Sequence, residues 1–326
     1  MNPPTLLELR QASRVFAGAG AHPFRRGKAA SLWAVREVDL TLHEGEVIGL
    51  VGESGSGKST LAHLLTGSLA LSGGARLWRG TDAQALPHDD KRAARLAVQM
   101  VHQAAGASLN PRQRVETLIG EAPVVHRLIA RAQRRDAVLR LLARVGLDDA
   151  LIDRYPYVLS GGQRSRVAIA RALAVNPQVL VADEPIAALD VSVRAQILNL
   201  LLDLRESTAL AMLLVSHDLT LVRLLADRVT VMYLGRIVES APNAEFHRAA
   251  HHPYSQALLA EAGSAPGPHR YHAIKGDIAS PWAPPTGCPF HPRCPRASAR
   301  CTIEAPRLRE IQSGHLSACH LDDTAS

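Results

Sequence analysis

Between Val35 and Leu42 the apolar residues Val38, Leu40 and Leu42 take every second position, the spacing of a strand with one face in solvent. Glu44-Gly45 turns the chain into Val47-Ile48-Gly49-Leu50-Val51, an unbroken apolar run of the kind buried in parallel sheets. Further strand candidates lie at Leu6–Leu9, Ala75–Trp78, Leu96–His102, Val179–Ala182, Ala211–Val215 and Arg228–Tyr233. Helical stretches separate them, from Ser59 to about Leu69, from Ser160 to the stop at Asn176-Pro177, from Val193 to Ser207 and from Leu219 to Ala226. This alternation predicts an α/β fold with a mostly parallel sheet and crossover helices. From Ala104 to Leu159 the rhythm changes. Val138, Leu141, Leu142 and Val145 mark one face near period 3.6, so this stretch reads as an inserted helical subdomain. Residues 17–30, rich in Gly, Ala and Arg, read as a loop. Beyond Ala241 only Pro253–Glu261 resembles a helix, and Gly263–Pro268 and Ser280–Gly287 are rich in Pro and Gly. The expected organisation is a core from 1–103 and 160–240, a helical subdomain at 104–159 and an extension at 241–326.

The strand Val47–Val51 runs directly into Gly52-Glu53-Ser54-Gly55-Ser56-Gly57-Lys58-Ser59-Thr60, which fits G-x-x-x-x-G-K-[ST]. Gly52, Gly55 and Gly57 let the backbone curl so that successive N–H groups, Ser54 among them, point inward. The helix starting near Lys58 adds the positive end of its dipole. Such a concavity suits a triphosphate. Lys58 would reach the β- and γ-phosphates, Ser59 would ligate Mg²⁺ and Thr60 would sit beside the α-phosphate. Asp183-Glu184 follows a short buried-type strand, at the carboxyl edge where ligands of parallel α/β sheets collect.

Composition narrows the setting. With 326 residues and 47% hydrophobic content the chain can bury a sizeable core, and no run approaches the roughly 18 apolar residues of a membrane span. The start, Met-Asn-Pro-Pro-Thr, lacks the pattern of a secretion signal, so the protein is expected in the cytosol. A net charge of +7 is compatible with nucleic acid, but 33 of the 37 basic residues are arginines scattered among alanine and leucine, and aromatics make up only 4%. No nucleic-acid partner is expected.

Five elements stand in fixed order: the loop Gly52–Thr60, Gln103, Leu159-Ser160-Gly161-Gly162-Gln163, Asp183-Glu184 and His217. In this order they resemble the ATP-binding subunit of an ABC transporter over roughly Leu6 to Glu239. The resemblance implies a P-loop NTPase (ABC ATPase) core that binds ATP and Mg²⁺. Asp183 would hold Mg²⁺, Glu184 would orient or deprotonate the attacking water, and His217 would touch the γ-phosphate. Gln103 would sense metal and water. Ser160, Gly161, Gly162 and Gln163 would bind the γ-phosphate of ATP held by a second ATPase subunit. For adenine stacking Phe16 is the first choice and Trp33 the second. Two positions depart from the family pattern, Ala187 where Ser is usual and Ala104-Ala105 in place of Asp-Pro. A soluble ABC ATPase of DNA repair or translation would carry two cassettes or a long insertion, which this sequence lacks. A noncatalytic subunit would not need Lys58, Asp183, Glu184 and His217.

The tail narrows the group. His252-Pro253-Tyr254 followed by Gly287-Cys288-Pro289-Phe290-His291-Pro292-Arg293-Cys294 resembles the C-terminal extension of oligopeptide, dipeptide and nickel importer ATPases, as does Ala107-Ser108-Leu109-Asn110-Pro111. Those systems imply a second, different ATPase chain, two membrane permease subunits and an extracytoplasmic substrate-binding protein, with this chain on the cytoplasmic face of the inner membrane. All four cysteines, Cys288, Cys294, Cys301 and Cys319, fall in this small Cys-containing extension. In a cytosolic chain that clustering argues for a thiolate site. The spacing leaves a [4Fe-4S] cluster, Zn²⁺ and plain reduced thiols open.

Overall fold

The computed structural model describes residues 3–17, 31–103, 105–186, 190–263 and 276–324. Of the loop expected at 17–30, Ala17 instead ends a strand, and residues 18–30 lie outside the described residues, as do the departures at Ala104 and Ala187. The chain opens with β1 (Thr5–Ala17) and β2 (Ser31–His43), then β3 (Val47–Val51), α1 (Lys58–Thr66), β4 (Gly73–Trp78) and β5 (Thr81–Asp82). Next come α2 (His88–Ala97), β6 (Val98–Val101), α3 (Val115–Val125), α4 (Arg134–Arg144), α5 (Gly161–Leu173) and β7 (Val179–Asp183). They are followed by α6 (Val191–Ser207), β8 (Ala211–Val215), α7 (Leu219–Leu225), β9 (Arg228–Tyr233), β10 (Arg236–Pro242), α8 (Asn243–Ala249) and α9 (Pro253–Glu261). The last elements are α10 (Ala299–Ile303), β11 (Arg309–Gln312) and β12 (His315–Ser317).

Two compact units share the chain. The first comprises Met1–Pro4, Leu42–Glu46 and Ala83–Leu214, the second Thr5–Thr41, Val47–Asp82 and Val215–Ser326.

In the first unit β7 lies between β6 and β8. β6 and β7 run parallel, with Val98 opposite Val179 and Val101 opposite Ala182. Every residue of β7 is buried, as its unbroken apolar run requires. The stretch expected to be helical holds α3 and α4, which bury Leu118, Ile119, Val138 and Leu142. Leu96 and Ala97, expected in a strand, instead end α2. Pro87 precedes this helix and Asp89 and Asp90 occupy its first turn, a start signal that the apolar pattern alone conceals. Asn176, at φ 53°, turns the chain out of the segment after α5.

In the second unit one sheet has the order β2-β1-β4-β5, and a further run of neighbours is β11-β12-β10-β9-β3. β3 and β9 are parallel, Ile48 opposite Arg228 and Val51 opposite Val231. β9 and β10 form a hairpin through Leu234 and Gly235, whose φ of 42° and 80° are those of a type I′ turn. The extension continues this sheet. Glu239 of β10 pairs with Ser317 of β12, and β11 returns against β12 around Gly314. These strands of four and three residues are too short to show an alternation in the sequence. Glu239, wholly buried, accepts hydrogen bonds from the backbone N–H groups of His251 (2.7 Å) and His252 (3.0 Å) and lies 2.7 Å from His315 Nε2. One carboxylate thereby ties β10, the start of α9 and β12.

Candidate functional site

In the second unit the loop after β3 has the expected form. Gly52, Gly55 and Gly57 all take positive φ, at 148°, 78° and 106°. At Gly52 a Cβ would meet the Met232 carbonyl oxygen at 2.2 Å, and at Gly57 the Ala34 carbonyl oxygen at 2.2 Å, so only glycine fits either place. Lys58 is buried at the start of α1 and its Nζ donates to the carbonyl oxygens of Gly52 (2.7 Å) and Glu53 (2.8 Å). Its ammonium is thus held over the loop's own concavity. Ser54 and Ser59 are exposed and Thr60 is half-buried, all on the same loop and first turn. In this unit Phe16 is half-buried beneath the Arg14 guanidinium, 4.7 Å from the ring centre. Trp33 is 36% exposed with Arg36 5.2 Å from its ring. His217 is exposed just after β8, and the following Asp218 caps α7 by accepting from Thr220 N–H at 2.9 Å.

The first unit brings Gln103 and Glu184 together, with Gln103 Nε2 donating to Glu184 Oε2 at 3.0 Å. Asp183, 3% exposed, is the last residue of β7. Glu184 adopts φ 47°, a left-handed conformation that costs a non-glycine residue roughly 1–2 kcal/mol. Strain of this kind collects where a side chain must be aimed. Leu159-Ser160-Gly161-Gly162-Gln163 forms the entry to α5 and closes a capping box, Ser160 Oγ accepting from Gln163 N–H at 3.2 Å and Gln163 Oε1 accepting from Ser160 N–H at 2.9 Å. Ser160 and Gly161 remain exposed at this positive helix end. At Gly162 a Cβ would lie 2.5 Å from Val193 Cγ1, so its lack of a side chain lets α5 approach α6. On α5, Arg171 donates to Ser108 through Nη1 to the carbonyl oxygen (3.0 Å) and through Nη2 to Oγ (2.9 Å), which links this helix to the segment after Gln103. Burial holds that guanidinium below its ordinary pKa.

The four cysteines of the extension line one small cavity together with His252 and Phe290. Burial pushes the Cys288 thiol up to about 11 and the Cys319 thiol up to about 12. Among the described residues no group of three or more His, Cys, Asp or Glu side chains is disposed to hold a metal ion.

Two family models match the chain, that of the ABC transporter over residues 35–187 and that of the oligopeptide/dipeptide transporter C-terminal region over residues 238–301. The oligopeptide transport ATP-binding protein AppF of Bacillus subtilis is 41% identical over 331 residues, 98% of each chain. This chain belongs to the oligopeptide/dipeptide ABC transporter ATP-binding family. Within the family, a probable peptide ABC transporter ATP-binding protein of Sinorhizobium fredii, y4tS, is 45% identical over 88% of this chain and 82% of its own. The dipeptide transport ATP-binding protein DppF of Escherichia coli is 41% identical over 93% and 92%. Among solved structures, the ATP-binding cassette MJ0796 in a dimeric post-hydrolysis state with ADP and Pi superposes with a TM-score of 0.63 at 27% identity, covering 73% of this chain and 99% of that one. The fold is accordingly that of an ABC ATPase cassette.

The family motifs of the tail include Tyr254 and Arg293 but assign neither a role, and nothing in motif or apolar rhythm points to Glu239; the second unit uses all three side chains to hold its own parts. Arg293 stands beside Cys294, inside the stretch whose cysteines draw attention first.

Proposed function

We propose that this chain hydrolyses ATP to power an ABC importer for oligopeptides, dipeptides or a related small ligand. The observation that carries the reading is the presence in one chain of a cassette match at 35–187 and a peptide-transporter C-terminal match at 238–301. Among the described residues no helix is long and apolar enough to cross a membrane. Two permease subunits therefore form the path, this chain binds them from the cytoplasmic side, and an extracytoplasmic binding protein delivers the ligand. The second ATPase subunit is a different chain of the same kind.

In this reading the backbone N–H groups of Gly52–Thr60 and the Lys58 ammonium hold the β- and γ-phosphates. Ser59 and Asp183 would supply hydroxyl and carboxylate oxygens, the hard donors that Mg²⁺ prefers, and the ion, when bound, would supply charge neutralisation for the phosphates. Glu184 accepts a proton from the attacking water, while Gln103 holds its carboxylate by the bond already described. His217 contacts the γ-phosphate. Ser160, Gly161, Gly162 and Gln163 reach the nucleotide of the second subunit, so ATP closes the pair and hydrolysis reopens it. Phe16, or Trp33 in its place, stacks on adenine.

For the four cysteines the candidates are a [4Fe-4S] cluster or Zn²⁺ with a structural or regulatory role, or plain reduced thiols. A single Zn²⁺ needs four sulfurs about 2.3 Å from one point, whereas a cluster spreads its cysteines around a larger body. All four thiols line one cavity, yet among the described residues no three of them are disposed to hold one metal ion, so plain reduced thiols fit this arrangement best, and iron and sulfide analysis after anaerobic purification checks it.

The function is tested by reconstituting the chain in vesicles with its two permeases, the second ATPase subunit and the binding protein, and following peptide uptake and phosphate release together. Lys58→Ala is expected to abolish both. Uptake that persists without hydrolysis would remove this chain as the motor.

A further inference from the structure

The phosphate loop is gripped from behind by the extension. Glu53, the second residue of the loop, receives two parallel hydrogen bonds from Arg293, Nη1 to Oε2 at 2.7 Å and Nη2 to Oε1 at 2.9 Å. The same residue's N–H donates to Tyr254 Oη at 2.7 Å. Arg293 has a side chain only 6% exposed, lies 5.9 Å from the centre of the Tyr233 ring and donates to Tyr233 Oη at 3.3 Å. Tyr233, Tyr254 and Phe290 pack with ring centres 4.7 to 5.3 Å apart, and all three are buried. Arg293 is also fixed through its backbone. It ends a tight turn, His291–Arg293, in which the N–H groups of His291 and Arg293 donate to the carbonyl oxygens of Cys288 and Phe290, and the next N–H, that of Cys294, donates to His291. Its position is set by the fold of the extension and not by the loop it holds.

Bidentate guanidinium–carboxylate pairs fix orientation as well as distance. Here the pair also has an electrostatic consequence. Lys58 Nζ already bonds the Glu53 carbonyl oxygen. Without Arg293 the Glu53 carboxylate would be an uncompensated anion beside the phosphate site, repelling the triphosphate and competing for the Lys58 ammonium.

We infer that Arg293 and Tyr254 are positioning residues for the phosphate loop, acting through Glu53 so that the extension sets the affinity of the cassette for ATP. This rests on the reading of Gly52–Thr60 as the phosphate site. Neither residue belongs to Gly52–Thr60 itself; each acts through its bonds to Glu53.

The experiment measures binding of a fluorescent ATP analogue to the full-length chain together with its unfolding midpoint. Arg293→Met is expected to weaken binding about tenfold, Arg293→Lys less, because a lysine keeps the charge but loses the two-pronged geometry. The double variant Arg293→Met/Glu53→Gln is expected to return to within about twofold of the wild type, because both charges are then removed together. A purely structural role for Arg293 would lower the midpoint, leave analogue affinity unchanged in Arg293→Lys and give no recovery in the double variant, and that outcome overturns the inference. Should Arg293→Met fail to fold, Arg293→Lys and Tyr254→Phe carry the test, each expected to lose affinity by about three- to tenfold. Lys58→Ala separates the two claims. If it binds the analogue as well as the wild type, the phosphate-site reading itself fails; if it does not bind while Arg293→Lys and Tyr254→Phe bind normally, only the positioning role fails.

Discussion

Replacing Glu184 by glutamine changes one atom of the side chain and removes its ability to take a proton. The Gln103 amide bond at 3.0 Å does not need the charge, since the new amide oxygen can accept it. The left-handed backbone at φ 47° is equally uncomfortable for either residue. Stability is therefore expected to change by less than about 0.5 kcal/mol. Hydrolysis is expected to fall by roughly 10²–10⁴, the contribution of a positioned general base, which corresponds to about 3–5 kcal/mol of barrier. ATP binding should persist, so nucleotide accumulates on the protein. Glu184→Gly makes the contrast sharper. It relieves roughly 1 kcal/mol of backbone strain but loses the Gln103 hydrogen bond and adds chain entropy to the unfolded state, so its unfolding midpoint should stay close to the wild type's as its activity disappears. The assay is phosphate release under saturating Mg²⁺-ATP, with nucleotide retention measured by filtration and stability by urea unfolding. Hydrolysis that is unchanged in Glu184→Gln, or that declines only in step with stability across the two variants, would refute Glu184 as the proton acceptor.

Other expectations follow from single features. Gly162→Ala drives a methyl group to within 2.5 Å of Val193 Cγ1, and a loss of about 1–3 kcal/mol is expected in urea unfolding. Gly74→Ala places its Cβ 2.3 Å from the Gln11 carbonyl oxygen at φ 83°, so a fall in stability of about 2 kcal/mol or more should appear in the same measurement. His247 is held below its ordinary pKa, by burial first and by Arg223 second, and neither ring nitrogen has a hydrogen-bond partner among the described residues. The unfolded chain binds the proton that the folded one refuses, so this residue's contribution is intact above its ordinary value of 6.5 and is lost as the pH falls below it. His247→Leu should flatten the acid side of a stability–pH curve by at most about 1.4 kcal/mol per pH unit; identical slopes for variant and wild type would contradict the assignment.

Much of the fold could be read from the chain because the parallel strands declare themselves. β3, β7 and β8 are buried from end to end, so their apolar runs are uninterrupted and bounded by turn residues. The phosphate loop was legible for a related reason, since Gly52 and Gly57 meet backbone carbonyls that exclude every other residue. α2 hid because Leu96 and Ala97 merge into β6 without a break, and its earlier turns are mostly charged, with Ala94 its one buried residue. The Glu53–Arg293 pair was out of reach for another reason. Its partners stand 240 positions apart, and nothing in the local pattern around either residue points toward the other. The pairing of Gln103 with Glu184 came from motif order and not from periodicity, and an isolated glutamine at a strand exit carries no such message.

The burial of Glu239 bears on how the extension can be treated. Its carboxylate is solvated by protein groups that the chain supplies from 251, 252 and 315, long after β10 has been formed. A shortened chain ending before His315 would leave an anion in a dry interior with a third of its solvation missing, and the hairpin carrying it would have reason to open to water. The last fifty residues therefore act less as an accessory than as a keystone, and the cassette of this protein is complete only once they are in place.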